Sequence, residues 1–497
     1  MELVLEPLVT DRFIARAVRS AIIPMLALSA ASLVGCASHN ERAAAYLGDL
    51  EAGRWESAVS AARRAAEDGP DRNAVIDALE LGAVETIAGR WESSDESLGR
   101  AWDLMEAMGK PGDPTFMQNL AAISVNERAL DYLGGSTDRT MCATLRALDL
   151  LASGDPVNAR VELKRAQFAQ EDAESRYRER IEKARGRMER KESDLDAVES
   201  SSQFQSASAE AWGDLEARFS PYRGWTVPFT DWLTAVMLIV DGVDGGDRDR
   251  AIDLLRRVGG TVGPVPAIES DLKLAESPGS REAQVWVVLG SGFAPIREEV
   301  VFTLPAYIPE MPFIGVAFPK LVQSPAGPIA ATAAGDGMPL ALDEICDMGS
   351  VIAHEFKAEL PLITGRAIGS ALAKAAASLA ANIAARNSGN DWALLATMVA
   401  TNVYGYGTTL ADLRTWRSLP RSWSVARVPR PDDGIVDLGG GIGNHRVELP
   451  GQGDVMILVR AIRAGSPVSI HAFPLDPASA SVPASTPPAE PATGETS

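Results

Sequence analysis

The chain has 497 residues, 46% of them hydrophobic and 23% charged, with a formal net charge of −20 and only three cysteines. That balance describes a mostly globular protein with enough length for a sizeable core, roughly three domains' worth of chain. Its acidity argues against nucleic acid or an anionic membrane surface as an electrostatic partner, and no cysteine or histidine spacing suggests a metal site, so neither metal nor cofactor is expected.

Residues 1–35 form the first element, a signal peptide. Arg12, Arg16 and Arg19 precede an apolar run from Ala21 to Leu33 that is too short to span a bilayer. Leu33-Val34-Gly35-Cys36 ends the run as a bacterial lipobox. The mature chain is therefore expected to begin at Cys36, carrying acyl chains such as palmitate, and to hold the membrane through those chains. Ala37, in place of Asp, resembles the outer-membrane sorting pattern of Gram-negative lipoproteins, which implies a periplasm-facing address. The acidic stretch Met1 to Asp11 is unusual in a signal peptide and points to a start codon placed too early.

Residues 36–270 read as helices in a repeat. Gly53-Arg54-Trp55-Glu56-Ser57-Ala58 recurs 36 residues later as Gly89-Arg90-Trp91-Glu92-Ser93-Ser94, with weaker echoes at Gly154 to Ala159 and Gly246 to Ala251. The period is close to the ~34 residues of a tetratricopeptide unit, in which glycine ends one helix and an aromatic residue packs at the start of the next. Stacked pairs of this kind make a concave surface, and Trp55 and Trp91 are expected between paired helices. A charged helix then covers about 158–199, with Tyr177, Ile181, Ala184, Met188, Leu195 and Val198 at spacings of three, four or seven and Lys191 interrupting the seam. It is read either as a projecting arm for self-association or, more simply, as a long helix covering the repeats. An apolar helix follows at Asp231 to Val240. Cys142 and Cys346 form either one disulfide or two buried thiols.

Residues 281–473 change to strand patterns, giving an α+β chain: tetratricopeptide-like repeats followed by a β-rich domain with a helical insertion. Strands are predicted at Ala283 to Leu289, Glu299 to Leu304, Phe313 to Phe318, Trp423 to Val428, Ile435 to Leu438, His445 to Leu449, Val455 to Ile462 and Val468 to Phe473. The insertion spans about 343–404, as helices at Asp343 to Leu360, Pro361 to Arg386 and Trp392 to Tyr404. Residues 474–497, rich in Pro, Ala, Ser and Thr, read as a disordered tail.

Four motifs in this half invite function. Val436 to Gly443 looks like the glycine-rich loop of a methyl-donor enzyme, but alternating residues on both sides predict a β-hairpin. His354-Glu355 begins like a zinc-protease helix, yet the second ligand position holds Ala358. Gly365, Gly369, Ala373, Ala377, Ala381 and Ala385 place small residues on one helix face, for packing against Trp392 to Tyr404, with a pore or membrane-active hairpin as the alternative. Asp412, Arg414 and Trp416 form the densest polar and aromatic cluster. They are candidate protein-binding residues if exposed, and an Asp-Arg pair beside a structural Trp otherwise.

Val285-Trp286-Val287, Gly292 to Glu299, Leu304-Pro305, Gly315 to Leu321, Glu355-Phe356-Lys357, Arg366-Ala367 and Asp412 to Pro420 together resemble an uncharacterised family of Gram-negative envelope lipoproteins. The resemblance covers most of Cys36 to Phe473. It implies tetratricopeptide-like helices, a β-rich C-terminal region and an envelope address, and it supplies no catalytic residues. The acidic N-terminal stretch and the turn around Gly440 depart from it.

The function expected is that of a non-catalytic, lipid-anchored envelope protein that binds other envelope proteins through its helical repeats. One rival is a cell-envelope hydrolase acting through carboxylates such as Glu298, Glu299 or Glu355, to be recognised by a polar cleft holding a carboxylate pair. The other is a pore or secretion component.

Overall fold

The computed structural model describes residues 38–108, 130–188, 192–242, 245–277, 281–308, 311–387 and 410–475. Cys36 and its signal peptide, the helix expected at Trp392 to Tyr404 and the tail from 476 onward lie outside the described residues.

The helices come in pairs. α1 (His39–Glu51) and α2 (Trp55–Glu67) form one hairpin, α3 (Ala74–Ile87) and α4 (Trp91–Met108) the next, and α5 (Ser136–Ala152) and α6 (Pro156–Met188) another. One turn serves all three. Gly53, Gly89 and Gly154 stand at φ of 72°, 71° and 81°, left-handed positions that glycine takes at little cost. Beyond each glycine the next amide reaches back across the turn: Arg54 to the carbonyl of Asp49, Arg90 to Glu85 and Asp155 to Leu150, at 2.9, 2.9 and 2.8 Å. These Schellman closures satisfy carbonyls that a helix end leaves unpaired. Arg90 also pairs with Glu56, so the repeated motif links one hairpin to the next.

α7 (Glu192–Glu199), α8 (Ser202–Trp212) and α9 (Leu215–Phe219) then lead to α10 (Pro228–Val240), α11 (Gly245–Val262) and α12 (Pro266–Glu276). The echo at Gly246 falls inside the first turn of α11 rather than at a helix end. Of the seam residues expected over 158–199, Tyr177 and Val198 are buried within this chain, and the side chains of Ile181, Ala184, Met188 and Leu195 lie outside the described residues.

The central sheet has the order β11 (Val468–Pro474), β10 (Val455–Ala461), β1 (Gln284–Ser291), β7 (Ser422–Pro429), β6 (Asp343–Asp347). β1 and β10 are parallel and the other pairs antiparallel. Every residue of β1 is buried, because both faces of this sheet are covered. Trp286 and Val288 join a core with the helices, while Val285, Val287 and Leu289 face a second sheet, β5 (Leu340–Ala341), β4 (Ala331–Ala334), β8 (Ile435–Gly440), β9 (His445–Glu448). β2 (Ile296–Ile308) and β3 (Met311–Val322) form a separate ribbon packed on α13 (Met348–Asn387).

The insertion differs from expectation in two ways. Asp343 to Asp347 is the edge strand β6, and Pro361 does not divide the helix: α13 runs through it as one 40-residue element, with the proline ring turned to solvent. The position four residues back, Lys357, loses a backbone donor there. α13 is long and apolar enough to cross a membrane by length and composition. Its small-residue stripe is mixed, with Gly365 and Gly369 buried and Ala377 and Ala381 exposed, and Lys374 is buried. The strand β11 takes in Pro474, and Leu475 is buried beyond it, so ordered packing extends past the expected start of the tail.

The glycine-rich segment is the expected hairpin, with Leu438 opposite His445 and Ile435 opposite Glu448. Gly440 and Gly443 carry the positive φ, at 86° and 84°. Gly441 is required for space instead, since a Cβ there would stand 2.8 Å from Ile329 Cγ2. Cys142 and Cys346 are both buried and unbridged.

Candidate functional site

The inner side of the helical array is occupied by the chain's own sheet. α3 and α10 are buried on nearly every side, and the turns that carry the repeat motif abut β11. A Cβ on Gly53 would collide with Pro467, and one on Gly89 would lie 2.5 Å from His471 Cε1. Ser469 Oγ donates to the carbonyl of Ile87 at 2.6 Å. Trp91 sits edge-on to His471, with ring centroids 4.8 Å apart, and near Phe473 at 6.4 Å. Trp91 therefore reaches the sheet as well as its helical neighbours. The chain's own sheet thus covers the inner helices, which are too apolar to face water.

The centre of that seam is Asp271 of α12, 1% exposed. Its carboxylate accepts from Trp232 Nε1 of α10 at 2.8 Å, Trp286 Nε1 of β1 at 3.2 Å and Arg427 Nε of β7 at 2.8 Å. Burial pushes its pKa up, opposed by Arg427 and the two indoles. A buried carboxylate is stable when its lone pairs are taken in this way.

The sequence candidates gather elsewhere, around a polar cavity of about 140 Å³ between the start of α5, the Asp412 to Pro420 segment, β2 and α13. Asp412, Arg414 and Trp416 all line it, but they make no exposed recognition patch. Trp416 is 2% exposed, its Nε1 donating to Ser418 Oγ at 3.1 Å. Arg414 is 7% exposed; it pairs with Asp412 at 2.7 Å and donates to the carbonyls of Arg72 and Leu130 and to Asn73 Oδ1. A guanidinium placed between main-chain carbonyls stitches the segment to the repeats and is not available to a partner. Burial alone would raise the Asp412 pKa; Arg414 and Arg297 outweigh it and hold it low.

Glu355 of α13 closes the opposite wall. Its Oε1 accepts from Ser136 N at 2.6 Å and from the Tyr177 hydroxyl, and its Oε2 from Thr137 N at 3.0 Å. It thus caps α5 from another element, where Gly135 leaves room that a Cβ would fill. Asp138 completes the cap, accepting from Gly135 N at 2.8 Å and Tyr132 Oη at 2.7 Å. Glu359, one turn beyond Glu355, pairs with Arg297 Nη2 at 2.9 Å and accepts from Tyr177 at 3.1 Å. Burial raises the Glu355 pKa, and Glu359 and Asp138 raise it further, against the pull of its donors.

Glu298 and Glu299 do not join this site. Glu298 is exposed on β2, and Glu299 accepts from Ala411 N at 2.8 Å. Sequence reasoning missed Tyr132, Asp138, Arg297, Glu359 and Thr415. The signal for the first two was the run Tyr132-Leu133-Gly134-Gly135-Ser136-Thr137-Asp138, a helix start with an acid three residues past its cap. Within the cavity, Arg297 Nε and Thr415 Oγ1 are buried polar atoms whose hydrogen bonds are not made to the protein, so a small polar guest with acceptor atoms fits its chemistry. Among the described residues, no cluster of three or more His, Cys, Asp and Glu could hold a metal ion.

No family model matches the chain, and no curated protein matches it. Among solved structures, a tetratricopeptide repeat protein from Parabacteroides merdae ATCC 43184 is similar over 48% of this chain and 98% of that chain, at 14% identity and a TM-score of 0.13. The repeat itself rests on the three matching turns.

A different surface is exposed among the described residues. On the outer side of α6, Val157, Val161 and Phe168 are 70%, 46% and 57% exposed and lie along one stripe with Lys164. Grooves flank it on both sides. One is formed with α4 by Trp102, Glu106, Phe168 and Arg176, the other with α10 and α11 by Arg160, Gln167, Met237 and Arg250.

Proposed function

We propose that this protein is a non-catalytic scaffold of the Gram-negative envelope, acylated at Cys36, held in the outer membrane facing the periplasm, and binding another envelope protein through the outer face of α6. The observation that carries the protein-binding part is the apolar stripe Val157, Val161, Phe168, at the spacing of one helix face and bordered by charged side chains on both sides. Such a stripe accepts an amphipathic helix laid in the adjoining groove. The lipobox and the sequence resemblance support the anchor and the address.

A photoreactive residue at Phe168, in the full lipoprotein in its native envelope, tests this. The expected result is a covalent adduct with a second envelope protein, lost on Val161→Asp and absent when the probe is placed at exposed Met338. Adducts only with other copies of this chain would replace the reading with self-association, and no adduct from position 168 would sink it.

One observation favours the hydrolase reading. Glu355 and Glu359 stand one turn apart on a cavity wall and share Tyr177. Against it, both oxygens of Glu355 are taken by the amides of α5, the geometry of a helix cap. A hydrolase would lose its activity on Glu359→Gln with its fold intact; a scaffold would keep its partner.

A further inference from the structure

Helix α1 starts almost at the expected lipid. Ser38 is its N-cap: Ser38 Oγ accepts from Glu41 N at 3.3 Å and Ser38 N donates to Glu41 Oε2 at 2.6 Å, a closed capping box. The next residue is already part of the interior. His39 is 5% exposed, with Nδ1 3.2 Å from Asp77 and Nε2 3.5 Å from Glu80 of α3. Glu80 in turn accepts from the amides of Arg417 and Ser418 at 2.6 and 3.0 Å, and Arg417 donates to the carbonyl of Asn40 at 3.1 Å. The first turn of α1 is thereby fastened to the repeats and to the segment that borders the cavity.

We infer that the protein lies directly on the leaflet that holds its lipid, with the start of α1 and the neighbouring turn at residues 71–73 against the phospholipid headgroups. This rests on acylation of Cys36 as proposed above. Only Ala37 separates Cys36 from Ser38, and the two residue steps, even fully extended, span about 7 Å. The headgroup layer on each side of a bilayer is itself about 5 to 7 Å deep. An acylated cysteine at the base of that layer leaves no slack for the folded body to stand away from it. The partner is fixed by chain length rather than by charge: Arg72 stands beside Asp71 on this surface, both exposed, so no excess of either sign is needed to hold it. The surface has a consequence for the cavity, because the carbonyl of Arg72 and Asn73 Oδ1 are two of the acceptors that hold Arg414. The cavity wall is thus built on the membrane-proximal turn, while the stripe on α6 belongs to a different helix pair.

The full acylated protein is reconstituted into phosphatidylcholine vesicles containing a rhodamine-labelled lipid, with a donor dye on Arg72→Cys. Cys142 and Cys346 are buried with their thiols pushed up by burial, so the dye goes to position 72. A second version carries a flexible linker of about 20 Gly/Ser residues between Ala37 and Ser38, long enough to add an r.m.s. reach of about 25 Å. Energy transfer is expected to be strong in the first and to fall several-fold in the second. Equal transfer in both, with both proteins acylated and vesicle-bound, overturns the surface while leaving the anchor standing. A protein that neither carries acyl mass on Cys36 nor sediments with the vesicles overturns the anchor, and the surface with it.

Discussion

The helical array meets two environments with two chemistries. Along its inner side, fully buried Trp232, Trp286 and Phe229 pack around the Asp271 carboxylate, which takes both indole N–H groups and Arg427 Nε. Along its outer side, α6 leaves Val157, Val161 and Phe168 in solvent over grooves whose charges pair locally, such as Arg160 with Asp241 and Asp247. The difference separates stability from binding. Repeat architecture offers a surface to a partner, and this chain packs its own sheet against its inner helices, which is why the proposed binding surface lies on the outer helices.

The sharpest way to break that comparison is Asp271→Ala. It leaves Arg427 and two indole N–H groups without their carboxylate in a dry seam, and stability should fall by about 3 to 5 kcal/mol. Urea unfolding of the purified protein measures it. A loss below about 1 kcal/mol, the value of an ordinary hydrogen bond, would show that apolar burial alone joins helices to sheet. Trp91→Ala probes the same seam at its rim. Trp91 is only partly buried, so the expected loss is about 2 to 3 kcal/mol, under the roughly 3 to 5 kcal/mol of a fully buried aromatic. If Trp91 packed only between helices, a change of His471 to Leu would leave that loss unaltered; coupling of the two substitutions in a double-mutant cycle is expected.

The helical hairpins were legible because Gly-Arg-Trp repeats at a fixed period and a left-handed glycine has a strong local cause. The eight expected strands were legible for a similar reason: each is an apolar or β-branched run, or an alternating one such as His445 to Leu449, bounded by turns. What escaped was set by distant partners. Ala331 to Ala334 becomes a strand because β8 and β5 pair with it, and Asp343 to Asp347 because β7 does. The Asp412 to Pro420 cluster favours a structural reading in sequence, but exposure stays open until Asn73 and Glu80, more than 300 residues away, are seen to engage it. Glu355 could stand among the carboxylates of the rival hydrolase reading because nothing local reveals that it caps a helix 218 residues upstream.

A pH series sharpens the picture at α1. Burial works against a charged His39, but Asp77 and Glu80 reverse it and raise its pKa to about 9 from an ordinary 6.5. The folded value exceeds the unfolded one, so this contribution is fully present below pH 6.5 and is lost as pH rises towards 9. Tm is expected to hold up to about pH 6.5 and decline above it, with His39→Gln flattening the decline. A profile unchanged by that substitution would mean that the clasp holds α1 without the proton.

The smallest expected effect on stability is at Phe168, and it decides whether the two sides of the array truly differ. More than half of its surface is already in water, and its ring lies over no core cluster; Lys164 Nζ stands 5.9 Å from the ring centroid. Phe168→Ser should therefore move the unfolding free energy by less than about 0.5 kcal/mol, as exposed substitutions do. The same change should weaken partner binding at least tenfold, about 1.4 kcal/mol, since an exposed aromatic anchor contributes chiefly when a partner desolvates it. Circular-dichroism melting and quantitative crosslinking of one protein sample read the two numbers together. A large loss of stability would make Phe168 part of the core and dissolve the distinction between inner and outer faces, whereas unchanged stability with unchanged partner capture would leave the inner seam as described and move the binding surface off α6.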